Sequence, residues 1–146
     1  MMQNAPERQI IELGDRWLLP LDGQIVTRSY AFPGLILDLN GKGRSYGIRI
    51  NGDSAVRKRD TEHRISAEQW SDSAPDLIDC FKGKTIQQAF AFKDGRLLLS
   101  FEDDTELVVL SDSTYESWEL SGTGDLRVIG CPGGELAIWK ALPGRN

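Results

Sequence analysis

Residues 90–140 carry the feature that most constrains this fold. Apolar and polar side chains alternate there in short runs, separated by turns rich in glycine and acidic residues. Phe90 and Phe92 alternate on one run, and Leu97, Leu99 and Phe101 on the next. Lys93-Asp94-Gly95 joins these two runs, and Glu102-Asp103-Asp104 leads into residues 105–110. A period of two sets side chains on one face of a pleated strand, whereas a helix would spread the same residues around its circumference. The spacing therefore predicts consecutive antiparallel hairpins. Residues 126–129 and 135–140 are expected to close the sheet.

The first half reads as a meander. Ile10-Ile11-Glu12-Leu13 and Trp17-Leu18-Leu19 precede Asp22-Gly23, a strong turn dipeptide. Residues 24–32 are rich in β-formers and stop at Pro33-Gly34, after which Leu35, Leu37 and Leu39 share one face. Asn40-Gly41-Lys42-Gly43 and Asn51-Gly52-Asp53 supply the next turns.

The middle departs from this pattern. Residues 73–83 predict a short helix: Ser73 caps it, Pro75 suits its first turn, Asp76 favours the positive end of its dipole, and Gly83 ends it. Leu77, Ile78 and Phe81 form its packing stripe. Ser66 and Gln69 stand at capping-box spacing and mark a further helical turn. The fold class is mainly β (α+β): an antiparallel sheet, or a partly open β-barrel or sandwich of hairpins, with one or two short helices.

A chain of 146 residues suits one domain with a single core. That core is expected over about residues 10–140, with 1–8 and 141–146 flexible. Hydrophobic residues at 40% and charged residues at 27% place the chain among globular proteins. No apolar run approaches the roughly 20 residues of a membrane span, and the polar N-terminus lacks the apolar segment of a signal peptide. The expectation is a cytoplasmic protein without membrane contact. A net charge of −5 argues against nucleic acid, which requires a cationic face. It is compatible with a cationic protein partner.

Residue patterns for catalysis are weak. His63, the single histidine, lies in the charged stretch Asp60-Thr61-Glu62-His63-Arg64, and only Cys80 and Cys131 could serve as thiol nucleophiles. Neither cysteine belongs to a C-x-x-C pair, and no short ligand spacing suggests zinc. Glu102-Asp103-Asp104 with Glu106 lacks the central glycine and alternating oxygen ligands of a calcium loop. Gly130-Cys131-Pro132-Gly133-Gly134 is followed by a strand-like run rather than a phosphate-binding helix. No catalytic residue, metal or cofactor is expected.

Recognition is the remaining chemistry. Asp72, Asp76 and Asp79 would form a carboxylate stripe on a helix extending over them, and Glu102, Asp103, Asp104 and Glu106 add a second acidic cluster. Arg57-Lys58-Arg59 with Arg64 makes the surface bipolar. Of the tryptophans, Trp118 and Trp139 belong to strand patterns and read as core, whereas Trp70, beside Ser71-Asp72-Ser73, is expected to be partly exposed and available to a partner.

Residues 17–26 (Trp17-Leu18-Leu19-Pro20-Leu21-Asp22-Gly23-Gln24-Ile25-Val26), Tyr115-x-x-Trp118-Glu119-Leu120, and Pro132-Gly133-Gly134-Glu135-Leu136-Ala137-Ile138-Trp139 resemble a family of small bacterial proteins of unknown function, common in actinobacteria. Similar small acidic β-rich proteins serve as immunity proteins beside polymorphic or contact-dependent toxins. The resemblance implies a protein that neutralises a cognate toxin domain by direct contact, with no catalytic residues to carry over. Two other functions fit the residues: a small non-catalytic ligand-binding or scaffold domain, and a small enzyme relying on His63, Cys80 and Cys131.

Overall fold

The computed structural model describes residues 9–32, 34–72 and 75–139; the side chains of Ser71 and Asp72 also lie outside the description. The expected flexible termini, the Ser73 cap and Pro33 therefore fall outside the described residues.

Among the described residues, thirteen strands build two sheets. The first seven are β1 (Ile11–Leu13), β2 (Arg16–Leu18), β3 (Ile25–Ala31), β4 (Leu35–Gly41), β5 (Arg44–Ile50), β6 (Ser54–Lys58) and β7 (Thr61–Ile65). Helical residues follow in α1 (Gln69–Asp72) and α2 (Pro75–Asp79), on either side of residues 73–74, which lie outside the described residues. The chain then forms β8 (Ile86–Phe92), β9 (Leu97–Phe101), β10 (Thr105–Val109), β11 (Trp118–Gly122), β12 (Leu126–Gly130) and β13 (Leu136–Trp139). One sheet has seven strands in the order β1-β2-β8-β9-β10-β6-β7, the other six in the order β13-β12-β11-β5-β4-β3. Neighbouring strands are antiparallel throughout.

The hairpins predicted over residues 85–110 form as β8, β9 and β10. The expectation for residues 126–140 needs correction. β12 and β13 do not close the sheet of those hairpins, but form one side of the six-stranded sheet, with β13 at its edge.

The inner faces of both sheets meet in one core. Leu35, Leu37, Leu39, Ile48, Ile50, Leu120 and Val128 come from the six-stranded sheet, and Val56, Ala89, Leu97, Leu99, Phe101 and Leu107 from the seven-stranded one. Each fully buried leucine or phenylalanine stabilises the fold by about 1.5–3 kcal/mol relative to exposure. One corner is stitched by backbone. The Val26 N–H donates to the Lys84 carbonyl at 2.9 Å, and the Ile86 N–H to the Gln24 carbonyl at 2.8 Å. Across the core, the Trp118 Nε1–H donates to the Gly95 carbonyl at 2.9 Å, tying β11 to the β8–β9 turn. Among the described residues, the sheets do not close into a barrel.

Local chemistry explains the connections. β4 and β5 are joined by Lys42-Gly43, both at positive φ (56° and 76°), the tight turn whose twist matches antiparallel strands. The Ser66 N–H donates to the Gln69 Oε1 at 2.8 Å, the half of a capping box expected from their spacing. Pro75 and Asp76 are the first described residues of α2, and Gly83 follows it at φ 87°. The helix expected over residues 73–83 ends earlier than its pattern suggested, since α2 stops at Asp79.

Two tryptophan assignments are reversed. Trp70 is 1% exposed rather than partly exposed. Its ring lies 6.5 Å from Phe81, which lies 5.8 Å from Phe101, so this aromatic relay packs α1 onto the end of the core. Trp139 is 51% exposed rather than core. Pleat alternation turns Ile138 inward on the edge strand β13, which sends Trp139 outward. Trp118 is fully buried, as its pattern predicted.

Candidate functional site

The expected acidic stripe of Asp72, Asp76 and Asp79 runs across residues 73–74, which lie outside the described residues. Asp72 is the last described residue of α1, and Asp76 and Asp79 stand exposed on α2. Glu102, Asp103 and Asp104 occupy the exposed β9–β10 turn, and Asp104 adopts φ 69° there. Asp79 and Asp103 both act electrostatically on Cys80, as do Lys58 and Lys84, so the two acidic groups converge on one end of the molecule with cations set among them.

Several of these carboxylates already have partners. Asp103 pairs with Lys84 and accepts the Thr105 N–H at 3.0 Å. Desolvation opposes its ionisation, but the bonds from Lys84 and Thr105 outweigh that and hold the carboxyl at about 2. Glu106 lies 3.8 Å from Arg57, which also binds Glu62 at 3.0 Å. The exposed acidic surface left at this end is therefore Asp76, Asp79, Glu102 and Asp104.

His63 is exposed on β7, and Cys80 and Cys131 are free and half-buried. Burial pushes the Cys80 thiol up, against the pull of Lys58 and Lys84. A raised thiol holds less of the reactive thiolate. Among the described residues, no group of three or more His, Cys, Asp or Glu side chains is placed to hold a metal ion.

The outer face of the seven-stranded sheet holds what sequence reasoning missed. Ile11, Leu18, Phe90, Leu98, Val108 and Ala55 stand directly opposite one another across six strands. Ala55 and Val108 are buried yet lie outside the shared core, because their own row covers them. Beside the row, the guanidinium groups of Arg16 and Arg96 each lie 4.5 Å from the Phe92 ring centroid. On the other side come Ser100, Glu106, Arg57 and Glu62, and then the acidic β9–β10 turn. The signal was present in Leu97-Leu98-Leu99 and Leu107-Val108-Val109, where unbroken apolar runs mark strands covered on both faces.

The outer face of the six-stranded sheet mixes charged and apolar residues: Tyr30, Ile36, Ile129 and Ala137 share a cross-strand row with Arg49 and Glu119. Arg28 lies 3.6 Å from Asp38, Arg127 binds Glu119 at 2.7 Å, and Arg127 also lies 5.4 Å from the Trp139 ring. Thr27, Asn40, Ser45 and Thr123 hydrogen-bond in a chain along one side. Between them an open groove of about 380 Å³ is lined by Tyr30, Ile36, Gly47, Arg49, Glu119 and Ser121.

Against this geometry, residues 17–140 match the model of a family of unknown function, DUF6188. The chain belongs to that family. No curated protein and no solved structure is significantly similar to it. Among the described residues, no helix is long and apolar enough to cross a membrane.

Proposed function

We propose that this protein acts by binding another protein through the outer face of the seven-stranded sheet, and that it serves as an immunity protein neutralising a cognate bacterial toxin domain. The observation that carries the binding reading is the cross-strand row from Ile11 to Ala55, an apolar strip on an outward face with a charged border. Stable interfaces combine a desolvated centre with a polar rim, and a few aromatic or charged anchors supply most of the energy. Phe90 and Leu98 occupy the centre of the row. Glu102 and Asp104, in the turn beyond it, would steer a cationic toxin during encounter. The immunity role rests on the acidic balance of −5 and on the family likeness drawn from the strand and turn motifs.

Co-expression with the product of a neighbouring toxin gene tests the reading. Protection of growth and co-purification of the pair are expected. Phe90→Ala with Leu98→Asn should weaken the complex at least tenfold, whereas Glu102→Gln with Asp104→Asn should slow association and flatten its salt dependence. His63→Ala combined with Cys80→Ala and Cys131→Ala should leave protection intact. Loss of protection by that folded triple variant would point to chemistry instead of binding, and full affinity in the Phe90/Leu98 variant would move the interface elsewhere.

A further inference from the structure

Gly47 breaks a local rule without a structural reason. Glycine inside a strand costs conformational entropy and forfeits side-chain packing, so it is normally kept for a positive φ or a close approach. Gly122 and Gly130 meet the second condition: a Cβ on Gly122 would fall 2.3 Å from the Ser45 carbonyl oxygen, and one on Gly130 2.4 Å from the Trp118 indole nitrogen. Gly47 meets neither. Its φ is not positive, and a Cβ built there finds nothing within 4 Å. It is the one described glycine of which both are true. It sits in the middle of β5, between Asp38 on β4 and Ser121 on β11, and its missing side chain leaves the floor of the groove bare.

The walls of the groove supply the chemistry. Arg49, two residues along β5 on the same face, stands opposite Ile36 and Glu119. The Glu119 carboxylate is occupied by Arg127, and Asp38 is occupied by Arg28. Among the described residues Arg49 has neither a hydrogen-bond nor an ion-pair partner. A free guanidinium presents a planar fork that matches a carboxylate with two parallel bonds. Ile36 and Tyr30 add an apolar side, and the Ser121 hydroxyl lines the other. Strands lie about 4.8 Å apart, so the backbones flanking β5 lie about 10 Å from each other, and the missing side chain leaves a slot between Asp38 and Ser121. That slot admits an aromatic ring lying on the backbone.

We propose that the Gly47 notch is a binding site for a small planar carboxylate of the aryl-carboxylate class, with the ring on Gly47 and the carboxylate on Arg49. The site is on the opposite sheet from the proposed protein interface and does not depend on it.

Backbone amide NMR titration with sodium benzoate tests this, with acetate and benzamide as probes lacking the ring or the charge. Saturable shifts centred on Gly47, Arg49 and Ser121 are expected for benzoate, with acetate and benzamide at least tenfold weaker. Arg49→Gln and Gly47→Val should each weaken benzoate binding at least tenfold. Gly47→Val should also melt at or above the parent temperature, because the site has room for the side chain and a strand favours it. A lower melting temperature for Gly47→Val would make the glycine structural and overturn the proposal. So would benzoate shifts that do not saturate, that persist in either variant, or that acetate or benzamide reproduces.

Discussion

The two sheets share one core but treat solvent differently. The seven-stranded sheet sets Ile11, Leu18, Phe90, Leu98, Val108 and Ala55 in register on its outer side. The six-stranded sheet fills its outer rows with Arg28, Asp38, Arg127 and Glu119 around a gap at Gly47. An antiparallel sheet needs only one apolar face to pack on a core. The outer face of the six-stranded sheet, where Ile36 and Ile129 stand among charges, stays closer to that minimum than the unbroken apolar row of the other. Apolar surface beyond the needs of folding marks a face suited to contact, which sets the face proposed for protein binding apart from the other.

The comparison can be broken most forcefully at the joint between the sheets. Trp118→Ala should cost about 3–5 kcal/mol, the usual loss for truncating a buried large aromatic, read from chemical denaturation. Trp118→Phe keeps most of the volume but loses the bond to the Gly95 carbonyl, and should cost roughly 1–3 kcal/mol by leaving that acceptor unpaired. Next in size is a matched pair of acidic substitutions. Val108→Asp should destabilise by roughly 1–3 kcal/mol, because it puts a polar group into a covered apolar row. Ser121→Asp, on the outer face of the six-stranded sheet, should stay within about 0.5 kcal/mol of the parent. Equal effects from the two would erase the distinction between the faces.

Trp139→Ala should cost under about 1 kcal/mol, since it removes a half-exposed ring and its contact with Arg127. A loss near that of Trp118→Ala would show that the edge strand depends on it. The smallest effect belongs to the acidic turn. Asp103 has a folded value of about 2 against an ordinary 3.8, so its contribution is complete above the ordinary value and fades as pH falls toward 2. Asp103→Asn should therefore lower stability at pH 7 by under about 1 kcal/mol, since the carboxylate is well exposed and screened. Thermal melts should show the gap between variant and parent narrowing from pH 4 to pH 2.

Much of the fold was legible in the chain. The alternation of Leu35, Leu37 and Leu39, and of Leu97, Leu99 and Phe101, specified strands and their inward faces, because the side-chain period of a strand is local. Gly43, Gly83 and Gly95 marked real turns for the same reason. The capping of Gln69 onto Ser66 was legible from a spacing of three. Less of the candidate site could be read. Trp70 and Trp139 were reversed because their burial depends on what lies opposite: Phe81 comes back across α1, and nothing in the described structure pairs with the far side of β13. The acidic residues Asp103 and Glu106 were visible as charges, but their partners Lys84 and Arg57 are brought to them only by folding.

The sequence by itself determined that this chain forms antiparallel hairpins, where they turn, and that its charge is acidic, since each follows from neighbours along the chain. Only the tertiary structure decided that the hairpins divide into two sheets, that Leu18, Phe90, Leu98 and Val108 fall into one row, and that Arg49 overlooks a bare Gly47. Those arrangements arise from register between strands far apart in sequence. Register is fixed by which faces the shared core buries, and no single strand carries that information.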